Sequence, residues 1–179
     1  MSEVEKSMVR NSMKNLFYRF GIVMTISCSS CVASARLESA VVTELNGLPC
    51  FSVPKTSETR NGIPLSVLAV SRRPEAHENL PEIVWSFSVE PAAKTILTRP
   101  EICFRYGVTP DGAERTESKA LKPHHIYVVD IQAKHAGTIL KGFQAEFCIR
   151  VDNKGKSHVQ EVPWNDKSSS WNYEICTKR

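Results

Sequence analysis

The sequence contains no H-E-x-x-H pair and no G-x-S-x-G elbow, so the helical zinc-protease and α/β-hydrolase signatures are both missing. It has no basic run either. Its 23 lysines and arginines stand against 19 acidic residues and are mixed among them along the chain. Nucleic-acid binding draws its affinity from clustered cations on phosphates, and that footprint is absent from the sequence. No stretch approaches the roughly 18 to 20 consecutive apolar residues that a membrane-spanning helix needs. A sustained 3.6-residue period and a repeat of fixed length are also lacking.

The residues that could carry metal or nucleophile chemistry are dispersed. His124 and His125 are adjacent in sequence, which on a strand sends them to opposite faces, and Asp130 is separated from His135 by a predicted turn. His77 and His158 stand alone, and the serines at 168–170 read as turn composition. Carboxylates occur one at a time in loops. The sequence therefore nominates no catalytic residue, no metal and no cofactor.

Residues 13–35 read as an export signal. Lys14 and Arg19 make a positive start, residues 20–26 a short apolar core, and Ala33-Ser34-Ala35 a small-residue cleavage pattern. Met13 is the more natural beginning, with residues 1–10 an upstream extension. Cys28 and Cys31, each preceded by serine, are candidate lipidation sites of the bacterial lipoprotein type. Thr25 and Cys28 occupy the upstream positions where such signals usually carry leucine. Both ends of the leader, cleavage after Ala35 or a lipid on cysteine, predict a protein outside the cytoplasm. The remainder, residues 36–179, is long enough for one domain with its own core.

Four cysteines remain there: Cys50, Cys103, Cys148 and Cys176. An even count in an oxidising compartment points to two disulfides, with three connectivities open. Strand parity supports cross-linking. In residues 143–151 the apolar face is Phe143, Ala145, Phe147, Ile149 and Val151, which leaves Cys148 on the face of Gln144, Glu146 and Arg150. Cys176 shares parity with Asn172 and Glu174, and Cys103 with Arg105.

Short alternating runs separated by turn chemistry predict about eight or nine strands and a β-sandwich of Ig-like type. Asn46-Gly47 between residues 41–45 and 48–53 is a hairpin signal. Ile83, Trp85, Phe87 and Val89 alternate with polar neighbours, with Trp85 as a large anchor. Further strands are expected at 65–70, 102–106, 126–132, 143–151, 158–162 and 171–175, with residues 113–121 a short helix or a loop. Leu121, Pro123 and Tyr127 resemble the tyrosine corner of fibronectin type III domains. That resemblance implies a Tyr127 ring in the core and a hydroxyl bonded to backbone.

A second resemblance covers most of the mature chain. Residues 47–54, Val84-Trp85-Ser86, residues 102–107, Tyr127, residues 146–149, Trp171 and Cys176 are similar to a family of small enterobacterial periplasmic lipoproteins, described as immunity proteins of type VI secretion systems. The resemblance implies a protein that binds a toxin delivered to the periplasm and protects its own cell. Loops of the stapled sandwich are the expected contact, with Arg72, Arg73, Trp164 and Asp166 as toxin-binding candidates. The rival expectations are a structural or assembly lipoprotein of the envelope, an inhibitor of a periplasmic hydrolase, and an envelope enzyme.

Overall fold

The computed structural model describes residues 37–90, 95–135 and 139–177. Cys28, Cys31 and the rest of the leader lie outside them. The described chain is an all-β sandwich of one large and one small sheet. Its strands are β1 (Glu38–Ser39), β2 (Val41–Leu45), β3 (Leu48–Ser52), β4 (Ile63–Arg72), β5 (Glu82–Val89), β6 (Leu97–Thr98), β7 (Phe104–Arg105), β8 (Ala113–Arg115), β9 (Ile126–His135), β10 (Ile139–Val151), β11 (Ser157–Val162), β12 (Trp164–Asn165) and β13 (Ser170–Trp171). One short helix, α1 (Glu174–Thr177), follows.

The large sheet runs β10, β9, β4, β5, β8, all antiparallel, and the free edge of β10 takes β1 along its first half and β11 along its second. β2, β3 and β7 form the small sheet. Register builds the core in rows: Trp85, Val70, Val129 and Ala145 stand side by side across four strands, and Phe87, Leu68, Ile131 and Phe143 form the next row. All eight are at most 1% exposed. Phe51 of β3 closes over them, its ring 6.4 Å from Trp85 and 5.4 Å from Phe147, while Phe104 of β7 meets Phe87 at 5.8 Å. Full burial of such side chains contributes about 1.5 to 3 kcal/mol each.

The hairpin turn predicted at Asn46-Gly47 forms, whereas the turn predicted between Asp130 and His135 does not, since both residues lie on the single strand β9. β2 and β3 make a hairpin through Asn46 (φ 53°) and Gly47 (φ 79°), the left-handed pair that matches strand twist. The β10 to β11 turn is tied by the Asp152 carboxylate, which accepts the Lys154 and Lys156 backbone N–H groups. The Tyr127 ring is buried, and its hydroxyl accepts a hydrogen bond from the Lys122 backbone N–H at 2.7 Å.

Five expectations are corrected. Residues 113–121 form neither helix nor plain loop: β8 pairs with β5, and the chain continues along the same edge through Thr116 N–H to Ser86 O and Lys119 N–H to Val84 O. Ile83 does not face the core, since a bulge opposite Val70 and Ser71 resets the alternation, so that Val84 is buried and Ile83 is 55% exposed. Only Phe104–Arg105 of residues 102–106 pairs as strand. The final run is β13 followed by α1, because Cys176 must turn back to reach β10. Several strands are two-residue bridges, which raises their number to thirteen among the described residues, where eight or nine were expected.

Candidate functional site

Disulfides join Cys50 to Cys103 and Cys148 to Cys176, with Cα atoms 5.5 and 6.0 Å apart. The second bridge explains what parity alone leaves obscure. Cys148 does sit on the face of β10 opposite the main core, yet that face is not wet: Cys148 is fully buried. Val162, Cys176, Ile126, Trp171, Tyr173 and Ile175 gather over it into a second, smaller core. The C-terminal segment is thus a cap held against the back of the large sheet.

The cap presents the sequence's best interface candidate. β12 and β13 form a short hairpin in which Trp164 and Trp171 are directly opposed, rings edge to face at 5.3 Å. Trp171 packs inward on the small core, while Trp164 remains 47% exposed. The turn between them is set by Asn165, whose side-chain oxygen accepts the Lys167 backbone N–H at 3.0 Å. Pro163, Trp164, Asn165, Asp166, Lys167 and Asn172 line a shallow depression of about 500 Å³. Trp164 and Asp166 therefore share one surface.

Arg73 belongs to the same cap. Its guanidinium lies over the Tyr173 ring, 4.6 Å from the centroid, and bonds the Glu146 carboxylate at 3.4 Å. Glu146 is 7% exposed on the outer face of β10, and burial pushes its carboxyl above the ordinary range, with Arg73 opposing that shift. Arg73 thus clips the cap to the sheet.

Arg72 is placed differently from the loop residue expected. It ends β4, paired across strands with Glu82 and Tyr127. Its guanidinium bonds Glu78 at 2.7 Å and Glu82 at 3.0 Å, with Glu75 at 3.7 Å. Lys119 adds a second cation on Glu82 at 2.8 Å. Hydrogen bonding to Arg72 holds Glu78 below the usual carboxylate range, and bonding first to Lys119 and then to Arg72 does the same for Glu82. Arg72 is the hub that ties residues 73–81 back to the sheet.

The remaining candidates are structural. Trp85 is 1% exposed at the centre of the main core, with Tyr106 at 5.3 Å and Phe87 at 5.5 Å. Leu121 packs partly against that core, and Pro123 is exposed in the turn before β9. The two neighbouring histidines diverge: His125 approaches Glu75 at 3.3 Å, whereas His124 bonds the Cys176 carbonyl at 3.3 Å. Among the described residues no three His, Cys, Asp or Glu side chains converge as a metal site.

Sequence reading missed two features. Tyr173 and Glu146, which meet through Arg73, were classed with a strand and a wet face. The other is an apolar groove of about 410 Å³ at the end of the sandwich, lined in part by Leu48, Pro49, Gly107, Leu121 and Ile149. Its lining comes from five separate stretches of the chain, so no local pattern announces it. Comparison with known proteins adds no relative: no family model matches the chain, nor does any curated protein or solved structure.

Proposed function

We propose that this chain is a periplasmic immunity protein that binds a cognate secreted toxin and covers its active site. Inhibition on this reading is steric, and the chain performs no chemistry of its own. One observation carries it: Trp164 stands exposed on a hairpin made rigid by Trp171 behind it and by the Cys148–Cys176 bridge beneath. An exposed aromatic held without rotational freedom loses little entropy on binding, which is what interface anchors require. Asp166 beside it supplies a directional polar contact, and Arg73 ties the platform to the sheet through Tyr173 and Glu146. A lipid on Cys28 or Cys31, or release after Ala35, would each place the domain where a toxin delivered to the periplasm arrives.

The test is a pull-down with tagged residues 36–179, disulfides formed, from the envelope and secreted fractions of the producing bacterium. Recovery of one stoichiometric toxin-like protein is the expected result. Recovery of envelope-machinery subunits alone would replace this reading with a structural or assembly role. Trp164→Ala should weaken toxin binding by at least about 2 kcal/mol while leaving the melting temperature unchanged. Unaltered affinity removes the cap from the interface.

A further inference from the structure

The two disulfides differ in what lies over their sulfurs. In the register of the small sheet Cys50 stands between Thr43 of β2 and Arg105 of β7, on the face turned away from Phe51 and the main core. Thr43 on that face is exposed, yet Cys50 itself is 0% exposed. Part of its cover is its own partner. Cys103 is exposed in the segment that enters β7, and its sulfur lies 3.9 Å from the Thr43 hydroxyl. This bridge therefore has an inner sulfur at Cys50 and an outer one at Cys103.

The Cys148–Cys176 bridge has no outer sulfur. Cys148 is 0% and Cys176 1% exposed, and Val162, Ile126, Trp171, Tyr173 and Ile175 pack around the pair. The His124 ring closes on the Cys176 carbonyl. A reagent reaches that bond only after the cap lifts.

Exchange chemistry turns this difference in cover into a difference in reactivity. A disulfide opens when a thiolate attacks one sulfur and the other leaves, so the rate follows access to the attacked sulfur. At Cys50–Cys103 the approach to the Cys103 sulfur from the side opposite Cys50 starts in solvent, whereas the corresponding approach to Cys50 starts from beneath, on the sheet side. The surrounding contacts do not need the bond. Phe104 pairs with Phe51, the Tyr106 backbone N–H donates to the Pro49 carbonyl at 2.9 Å, and the Tyr106 hydroxyl reaches the Lys119 carbonyl at 2.6 Å. These ties keep the freed thiols near one another. What opening removes is the staple's constraint on the unfolded chain.

We propose that Cys50–Cys103 is an exchangeable bond in the folded protein, entered at Cys103 by a dithiol reductant, while Cys148–Cys176 is locked. The reductant's thiolate forms a mixed disulfide with the Cys103 sulfur, and the Cys50 sulfur leaves with the electron pair and takes up a proton. The reductant's second thiol gives up its proton and attacks its own sulfur in that mixed disulfide. Cys103 leaves as a thiolate and is protonated, and the reductant is oxidised to a disulfide. The redox state of this one bond sets how well the domain resists unfolding. The proposal goes beyond the immunity reading and holds whatever the domain binds.

The experiment incubates the full chain, both disulfides formed, in native buffer with dithiothreitol to compare rates and with reduced glutathione to mark the attacked sulfur. Samples are quenched by alkylation and mapped by mass spectrometry. Expected is opening of Cys50–Cys103 at least about tenfold faster than Cys148–Cys176, with glutathione on Cys103 and the alkyl group on Cys50. In denaturing urea the two bonds should open at similar rates, because the fold no longer distinguishes their sulfurs. Protein opened only at Cys50–Cys103 should still unfold cooperatively, at a lower urea midpoint. Equal rates in native buffer, earlier opening of Cys148–Cys176, glutathione on Cys50, or no opening short of unfolding would each overturn the proposal. A rate difference that persists in urea would overturn cover as its cause, and an unchanged midpoint would overturn the link to stability.

Discussion

The sandwich core and the core beneath the C-terminal cap each carry a disulfide, yet they are held by different forces. The main core draws on four long strands and the small sheet, with Trp85, Phe51, Phe87, Phe143 and Phe147 buried to 1% exposure or less. The cap rests on three buried residues, Cys148, Val162 and Cys176, with Ile126, Trp171, Tyr173 and Ile175 only partly covered. Its other ties are the His124 contact to the Cys176 carbonyl and the Arg73 bridge between Tyr173 and Glu146. What unfolds with a staple should therefore differ, even though each staple constrains a loop of similar cost. The bridges span 53 and 28 residues. Loop-closure entropy makes those worth about 4 and about 3.5 kcal/mol, too close to separate them.

The comparison predicts two different failures. Replacing Cys50 and Cys103 together by alanine should lower global stability by about 4 kcal/mol, read as a shifted midpoint of cooperative unfolding in urea. Every part of the main core loses protection at once, because β3 and β7 carry the lid that covers Trp85 and Phe87. Replacing Cys148 and Cys176 should act locally. Residues 163–177 should exchange their amide hydrogens faster while the midpoint for the main sheets moves by less than about 1 kcal/mol, because the cap can leave without opening the sandwich. If the proposed immunity role holds, toxin binding should weaken as severely in that variant as in Trp164→Ala. A double alanine variant at 148 and 176 that loses as much global stability as the other would show the cap to be part of the main folding unit.

The same contrast decides what could be read in the sequence. The main core was legible because β10 keeps strict parity from Phe143 to Ile149, and Asn46-Gly47 fixes its hairpin with local chemistry alone. Bulges were not: the one that turns Ile83 out of the core depends on how β5 meets β4, and nothing within either strand marks it. The C-terminal run misled because Trp171, Tyr173 and Ile175 satisfy a period of two over three positions, too short to exclude a turn entering a helix. Reach to Cys148 decided the matter. For the interface candidates, Trp164 was legible as a large aromatic among polar turn residues. Arg72 was not, since its partners Glu75, Glu78 and Glu82 meet it only after residues 73–81 fold back.

Acid titration gives the finest test of how the cap is held, because the Glu146 carboxylate sits at its edge. Burial raises the pKa of Glu146 above its ordinary value of 4.5, and the Arg73 charge opposes that shift without cancelling it. Asp130 and Glu161 are raised by burial too, whereas Glu78, Glu82 and Asp152 are lowered by the hydrogen bonds they accept. A carboxylate with a raised folded pKa binds its proton more tightly folded than unfolded. Its stabilising share is full below 4.5 and is lost as pH rises through the folded value. Glu146→Gln removes that titration, so the wild type should lose stability relative to the variant between pH 4.5 and 7. The difference should appear first in hydrogen exchange of residues 163–177, where Arg73 and Tyr173 meet the carboxylate. If the wild type instead gains on the variant as pH rises, the Arg73 ion pair outweighs burial, and the cap is clamped by charge more than by its apolar contacts.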